Sequence, residues 1–431
     1  MSERAARQRA VLRRAFDAAV AAAHPGGCLT AHLPAPPPNG RLILLAAGKA
    51  GASMAAIAER FYREQHGLAA DRLAGLAVTR HGYGEPAGAI PVVEAGHPVP
   101  DQEGVEATLR TLALAHSATA DDRVLVLLSG GGSANWIAPA GALTLAEKQG
   151  ITRALLRSGA NIGEINTLRK HLSRIKGGRL ARLAAPAPVL TLAISDVPHD
   201  DPAVIASGPT VPDPSTLADA RAIVARHNVA LPASAQALLN NPATESPKPG
   251  DPVFANTEFR IVARPADAVA AAAQAAKEAG YEPIILGADL EGEARAVAAE
   301  HARLAREALA AGGRIAMVSG GELTVTIRGQ GHGGPNQEYA LALALALDGV
   351  AGIAALAADT DGTDGGAGSA EDPAGAIVDE TTLARARAIG LDAAAHLADN
   401  DSTNFFERLG DLVACGPTRT NVNDCRIILV G

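Results

Sequence analysis

The residues best suited to chemistry in this 431-residue chain fall in six short segments, most of them directly after strand-like apolar runs. The first, Gly48-Lys49-Ala50-Gly51, ends the run 41–47 and opens a helical stretch. Such a junction offers backbone N–H groups and a positive dipole end to an anion. Lys49 adds a point charge able to stabilise a phosphoryl group in transfer, although an ordinary turn with a surface lysine fits the same residues. It is not a Walker A loop, since Ile43 stands where the first glycine belongs and Ala50 follows the lysine. In the second segment, Ser129-Gly130-Gly131-Gly132-Ser133 follows RVLVLL. Three glycines let a backbone nest approach a polyphosphate without Cβ interference.

In the third segment, Asp196, Asp200 and Asp201 follow the run 188–194, where the strands of an open α/β sheet face a ligand. Carboxylates there suit Mg²⁺ or a general base. Asp196 is the first choice for both roles and Asp201 a second metal ligand, although Asp-Asp-Pro is also a good helix start. The fourth segment, 166–178, is basic. Leu168, Leu172 and Ile175 keep helical spacing, so it reads either as an amphipathic helix with a solvated basic face or as a site for carboxylate or phosphate. On the second reading Arg169, Lys170 and His171 meet the substrate and Lys176 the phosphates.

The fifth segment runs from Ser319 to Glu338. Ser319-Gly320-Gly321 reads as a second Ser-Gly-Gly turn, with Gly320, Gly321 and Glu322 expected to touch nucleotide. Gly329, Gly331 and Gly334 match the G-x-G-x-x-G dinucleotide pattern. The preceding run, 323–327, alternates with Thr and reads as a half-exposed antiparallel strand, whereas a dinucleotide fold buries that strand on both faces. A loop covering ATP or substrate fits better, with Asn336 and Glu338 toward the substrate. The sixth segment, Asp359 to Gly366, is acidic; Asp361 is a candidate metal ligand and Asp364 a candidate partner for substrate hydroxyls. It is not a Ca²⁺ loop, because position 12 is Ala370.

These segments need a scaffold of strands and helices to position them. Residues 5–23 read as an amphipathic helix, and continuous apolar strands then alternate with helices, the signature of a parallel sheet covered on both faces. The stretch 240–252, rich in Pro, Asn and Ser, is the expected linker, dividing the chain into 1–245 and 246–431. The second half reads as mixed α/β.

With 48% hydrophobic residues the chain is not disordered, and a net charge of −8 argues against a nucleic-acid partner. Three cysteines without metal spacing point to a reducing compartment, and no segment reads as a signal peptide or membrane span. A cytoplasmic location is expected.

Taken in order, AAGKA, EAGHPVPD, LLSGGGSA, NTLRKHLSRIKGGRLA and ISDVPHDDPAVIASGPT resemble the N-terminal domain of class II glycerate 2-kinases. SGGELTVTIRGQGHGGPNQE, DTDGTDG, PAGAIVD and CGPTRTNVND resemble their C-terminal domain. Some members of that family carry the name hydroxypyruvate reductase. The resemblance implies a Rossmann-like α/β/α domain and a mixed-sheet α/β domain, with the active site in a cleft between them. It further implies ATP and Mg²⁺ as cofactors, D-glycerate as the small-molecule partner and 2-phosphoglycerate as product, with a homodimer as a further expectation. Lys49 would stabilise the transferring group and Asp196 would accept the hydroxyl proton. One departure stands out: Pro335 occupies the position where the family commonly has a proposed catalytic arginine, and Arg169, Arg328 or Arg419 would have to replace its charge.

Overall fold

Unbroken apolar runs become strands buried on both faces. The computed structural model describes residues 2–366 and 369–431. The first sheet contains β1 (Leu42–Ala47), β2 (Leu73–Arg80), β3 (Val92–Ala95), β4 (Arg123–Leu128), β5 (Val189–Ile194) and β6 (Thr257–Ala263). Its order is β3-β2-β1-β4-β5-β6, and the pairings from β3 through β5 are all parallel. This is the strand order of a doubly wound α/β fold, whose direction of winding reverses between β1 and β4. Both of those strands are followed by glycine loops at their C-terminal ends.

The second sheet contains β7 (Glu282–Glu293), β8 (Ile315–Thr324), β9 (Ile353–Asp359), β10 (Gly375–Asp379), β11 (Leu412–Val413) and β12 (Asp424–Val430). Its order is β11-β10-β9-β12-β8-β7, with β7 parallel to β8 and the other pairs antiparallel. The expected mixed α/β architecture is present.

The chain divides into two compact units, residues 28–262 and residues 1–27 with 263–431. The sequence instead placed the division at 245/246. Two contacts account for the difference. The N-terminal helix Glu3–Ala23 packs on the helix Pro265–Glu278, and Arg9 pairs with Asp379 at 2.5 Å and Asp411 at 2.7 Å. The expected linker 240–252 is held inside the first unit. Glu245 accepts from His171 at 2.9 Å, Ser246 Oγ donates to Asp213 at 2.9 Å, and Arg179 donates to the Thr244 carbonyl at 2.6 Å.

A second difference concerns Ser319-Gly320-Gly321, which is not a turn. It lies inside β8, and the run expected as an antiparallel strand at 323–327 is only the end of β8, parallel to β7 and finished at Thr324. Gly321 has φ +93°, and a Cβ there would sit 2.2 Å from the backbone of Leu290. Close passage of β7 thus accounts for that glycine. All three cysteines are free thiols, and no helix among the described residues is long and apolar enough to cross a membrane.

Candidate active site

At the ends of β1 and β4, two loops interlock. Gly48 N–H donates to the Val78 carbonyl at 3.1 Å and Lys49 N–H to the Gly130 carbonyl at 2.8 Å, while Ala50 N–H donates to Ser129 Oγ at 2.8 Å. The Lys49 side chain leaves this junction past Gly131; its Cγ lies 3.4 Å from where a Gly131 Cβ would stand. The N–H groups of Gly130, Gly131 and Ser133 make no backbone hydrogen bond among the described residues. Gly48 has φ +114°, and a Cβ there would fall 2.4 Å from the Ser129 carbonyl. Gly48→Ala therefore combines left-handed strain of about 1–2 kcal/mol with a backbone collision. The expected result is a Tm several degrees lower, read by thermal melts.

The segment after β5 completes this edge. His199, Asp200, Ala206 and Ser207 all have positive φ, between 48° and 62°. Non-glycine residues persist there only when their surroundings hold them, and they concentrate at functional sites. Ser207 Oγ lies 2.6 Å from Ser133 Oγ, joining this segment to the glycine loop. Asp196 is half-buried at the start of the segment; Asp201 is exposed and accepts the Ala203 N–H at 2.9 Å, which leaves its second oxygen available.

Beside Gly131 and Ser133 opens a cavity of about 440 Å³, lined by Lys148, Arg153, Arg169 and Lys176, by apolar residues including Pro98, Ile137 and Leu156, and, among the described residues, by no carboxylate. Lys176 donates to the Ser133 carbonyl at 2.7 Å. Burial, with Lys148 and Arg169 adding repulsion, pushes its ammonium well below the ordinary lysine range. Burial likewise drives Lys148 down to about 7. The basic segment therefore divides. Arg169 and Lys176 reach the cavity, while Lys170 turns to Asp213 at 3.4 Å and His171 to Glu245. Lys148 went unnoticed in the sequence, although it occupies the buried stripe of its helix with Ile151 and Leu155, where an apolar side chain is the norm.

The other unit holds a buried polar knot. Asp364 accepts the N–H groups of Asn336 (3.0 Å) and Gln337 (2.9 Å), capping the helix Pro335–Leu347, and Asn336 Nδ2 also donates to Asp424 at 2.6 Å. Burial raises the Asp364 carboxyl to about 7, with Asp424 adding to the effect. Asp364 and Asn336 are thus occupied with each other. Glu338 pairs with Arg295 at 2.6 Å and accepts from Asn400, and Asp361 accepts from Thr363 N–H at 2.7 Å. Pro335 takes the first position of its helix, where a missing N–H costs nothing. The G-x-G-x-x-G loop has its amides at 328–332 occupied: Arg328 and Gly329 donate to Asn400 Oδ1, Gln330 and Gly331 to Asp399, and His332 to Asp401. Gly320 and Gly321 lie in β8, and Glu322 beside them is exposed. Among the described residues no three His, Cys, Asp or Glu side chains gather as a metal site.

The chain matches a domain of unknown function, DUF4147, over residues 11–240 and the MOFRL family over 315–424. It is 40% identical to a D-glycerate 2-kinase of Thermotoga maritima, over 90% of this chain and 91% of that one. A crystal structure of glycerate kinase from the same organism superposes with a TM-score of 0.86 at 37% identity, covering 99% of both chains. The chain belongs to the glycerate 2-kinase family. A relative from Agrobacterium vitis, 49% identical over 98% of this chain and 94% of its own, bears a provisional hydroxypyruvate reductase name. In this chain the DUF4147 match spans β1 to β5 with both glycine loops, and the MOFRL match spans β8 to the start of β12.

Proposed function

We propose that this protein transfers the γ-phosphoryl group of ATP to the 2-hydroxyl of D-glycerate, giving 2-phosphoglycerate and ADP. The observation that carries this reading is the set of unoccupied loop amides and carboxylate-free cations at the ends of β1 and β4. Phosphoryl transfer depends on positioning and on stabilising spread negative charge, which such groups supply. In this reading the amides of Gly130, Gly131 and Ser133 hold phosphate oxygens and Lys49 meets the transferring group. The glycerate oxygen forms its bond to the γ-phosphorus as the bond to the β-bridging oxygen breaks, and Asp196 accepts the hydroxyl proton. Asp196 and Asp201 would hold Mg²⁺, which can be bound through only one or two protein carboxylates and would supply neutralisation of phosphate charge. A cytoplasmic location agrees with the three free thiols.

The reductase name of the Agrobacterium relative suggests a nicotinamide cofactor. Its one motif here, Gly329 to Gly334, has no N–H groups to give a pyrophosphate at 328–332, because Asp399, Asn400 and Asp401 take them. The deciding experiment couples ADP release to a reporter over D-glycerate and related C3–C4 hydroxy acids, with phosphate-position analysis of the product. Turnover with D-glycerate and none of NADH or NADPH with hydroxypyruvate is expected. Oxidation of either nicotinamide, with no ADP formed, would reverse the reading.

A further inference from the structure

Lys148 and Lys176 are only 4% and 1% exposed, yet among the described residues both ammonium groups meet carbonyl oxygens alone: Lys148 those of Leu172 (2.6 Å) and Arg169 (3.4 Å), Lys176 that of Ser133. Two lysines buried in one cavity without a carboxylate are costly unless something else supplies negative charge. The charged and titratable groups facing Lys148 compound the problem. They are His97 on the loop before Pro98, Arg153 on its own helix, Arg169, Lys176 and, slightly farther off, Arg179. The cavity therefore calls for a ligand carrying several negative charges.

The rest of the lining indicates which ligand. At about 440 Å³ the cavity is within the range that encloses an organic ligand, and a three-carbon acid would leave most of it empty. Pro98, Pro100, Leu145 and Leu156 offer apolar walls. Gln149 donates to the Pro100 carbonyl at 2.7 Å, which fixes its amide and leaves its oxygen as an acceptor among them. Apolar walls and cations within one cavity bordered by Gly131 and Ser133 match a base and its phosphates.

Building on the phosphoryl-transfer reading above, we propose that Lys148, Lys176 and Arg169 hold the phosphates of a nucleoside triphosphate whose base fills the rest of this cavity, and that Lys148 takes up a proton from solvent as the nucleotide enters. Burial leaves part of the Lys148 population neutral near pH 7; arriving phosphates favour the ammonium form, so the neutral amine gains a proton from the buffer.

The test is calorimetry of ADP binding to the full chain at pH 8 in Tris and in Hepes, whose ionisation enthalpies differ. The wild-type binding enthalpy should depend on the buffer with the sign of proton uptake. K148M should bind ADP about 10- to 100-fold more weakly, the loss expected for a charged hydrogen-bonding group, with reduced proton uptake. K148R should restore affinity without restoring the uptake, because a guanidinium stays protonated throughout. Melting curves of both variants establish that they fold, and K148R preserves the test should K148M be unstable. K148M binding ADP as tightly as wild type, with the same uptake, would overturn the proposal. So would Lys148-dependent proton uptake on titrating D-glycerate alone, which would assign the cavity to the acceptor. Wild-type protein binding no ADP at all would instead remove the phosphoryl-transfer reading beneath it.

Discussion

Replacing Lys49 by methionine should lower kcat for ADP release with D-glycerate by about 10²–10³, the usual effect of deleting one donor that meets transition-state charge. KM for ATP should change far less, because the loop amides proposed to hold the phosphates are set by backbone contacts that the substitution keeps. Those contacts are Lys49 N–H to Gly130 O and Ala50 N–H to Ser129 Oγ, both 2.8 Å. The methionine retains the length of the stem passing Gly131, so Tm should stay within a few degrees of wild type. Steady-state kinetics over ATP and glycerate separate the cases. A fall in kcat with KM unchanged places the ammonium on the transferring group. A rise in KM alone would make it an ordinary phosphate anchor. Unchanged turnover would remove Lys49 from the chemistry.

Much of this arrangement was legible in the residues because it is local. RVLVLL and VLTLAI can only be satisfied as strands buried on both faces, and the glycine loops follow them directly. What escaped was set by contacts distant in sequence. Ser319-Gly320-Gly321 looks like Ser129-Gly130-Gly131, but its glycines answer to Ala288 and Leu290 of β7 paired beside β8, contacts that no spacing in the segment announces. The helix 3–23 joins the second unit because Arg9 meets Asp379 and Asp411, some 370 and 402 residues away. Lys170 and His171 carry the same basic chemistry as Arg169 and Lys176, and only the helix phase sends them toward Asp213 and Glu245 instead of the cavity. Lys148 belongs to no motif; its one signal was a charge on a buried helical stripe.

Arg426→Met should be the most damaging single change to stability. Arg426 is 1% exposed; its Nη1 lies 2.7 Å from Asp424 Oδ2, its Nε donates to Ser319 Oγ at 3.3 Å, and its Nη2 donates to the Gly320 carbonyl. Removing it strands the Asp424 carboxylate beside Asp364, with the Asn336 amide shared between them. Breaking one side of a buried pair typically costs about 3–5 kcal/mol. The pH dependence follows from the direction of the Asp424 shift. Burial already raises that carboxyl above its ordinary value and Arg426 opposes the rise, so the variant's carboxyl holds its proton more tightly still. A group whose folded pKa exceeds its unfolded one contributes stability at low pH and loses it as pH rises through the folded value. The gap between variant and wild type should therefore be wider at higher pH and shrink as pH falls and Asp424 becomes protonated in the folded variant. Hydrogen exchange at β8 and β12 amides in increasing urea reads this stability where the knot sits. Adding Asp424→Asn should recover much of the loss at pH 8, since replacing both partners leaves no stranded charge. A cost below about 1 kcal/mol, or one that does not change with pH, would mean that Asp424 finds other compensation. In that case the backbone pairing of β8 with β7 and β12 holds the Ser319-Gly320-Gly321 segment, and the Arg426 side chain is incidental to it.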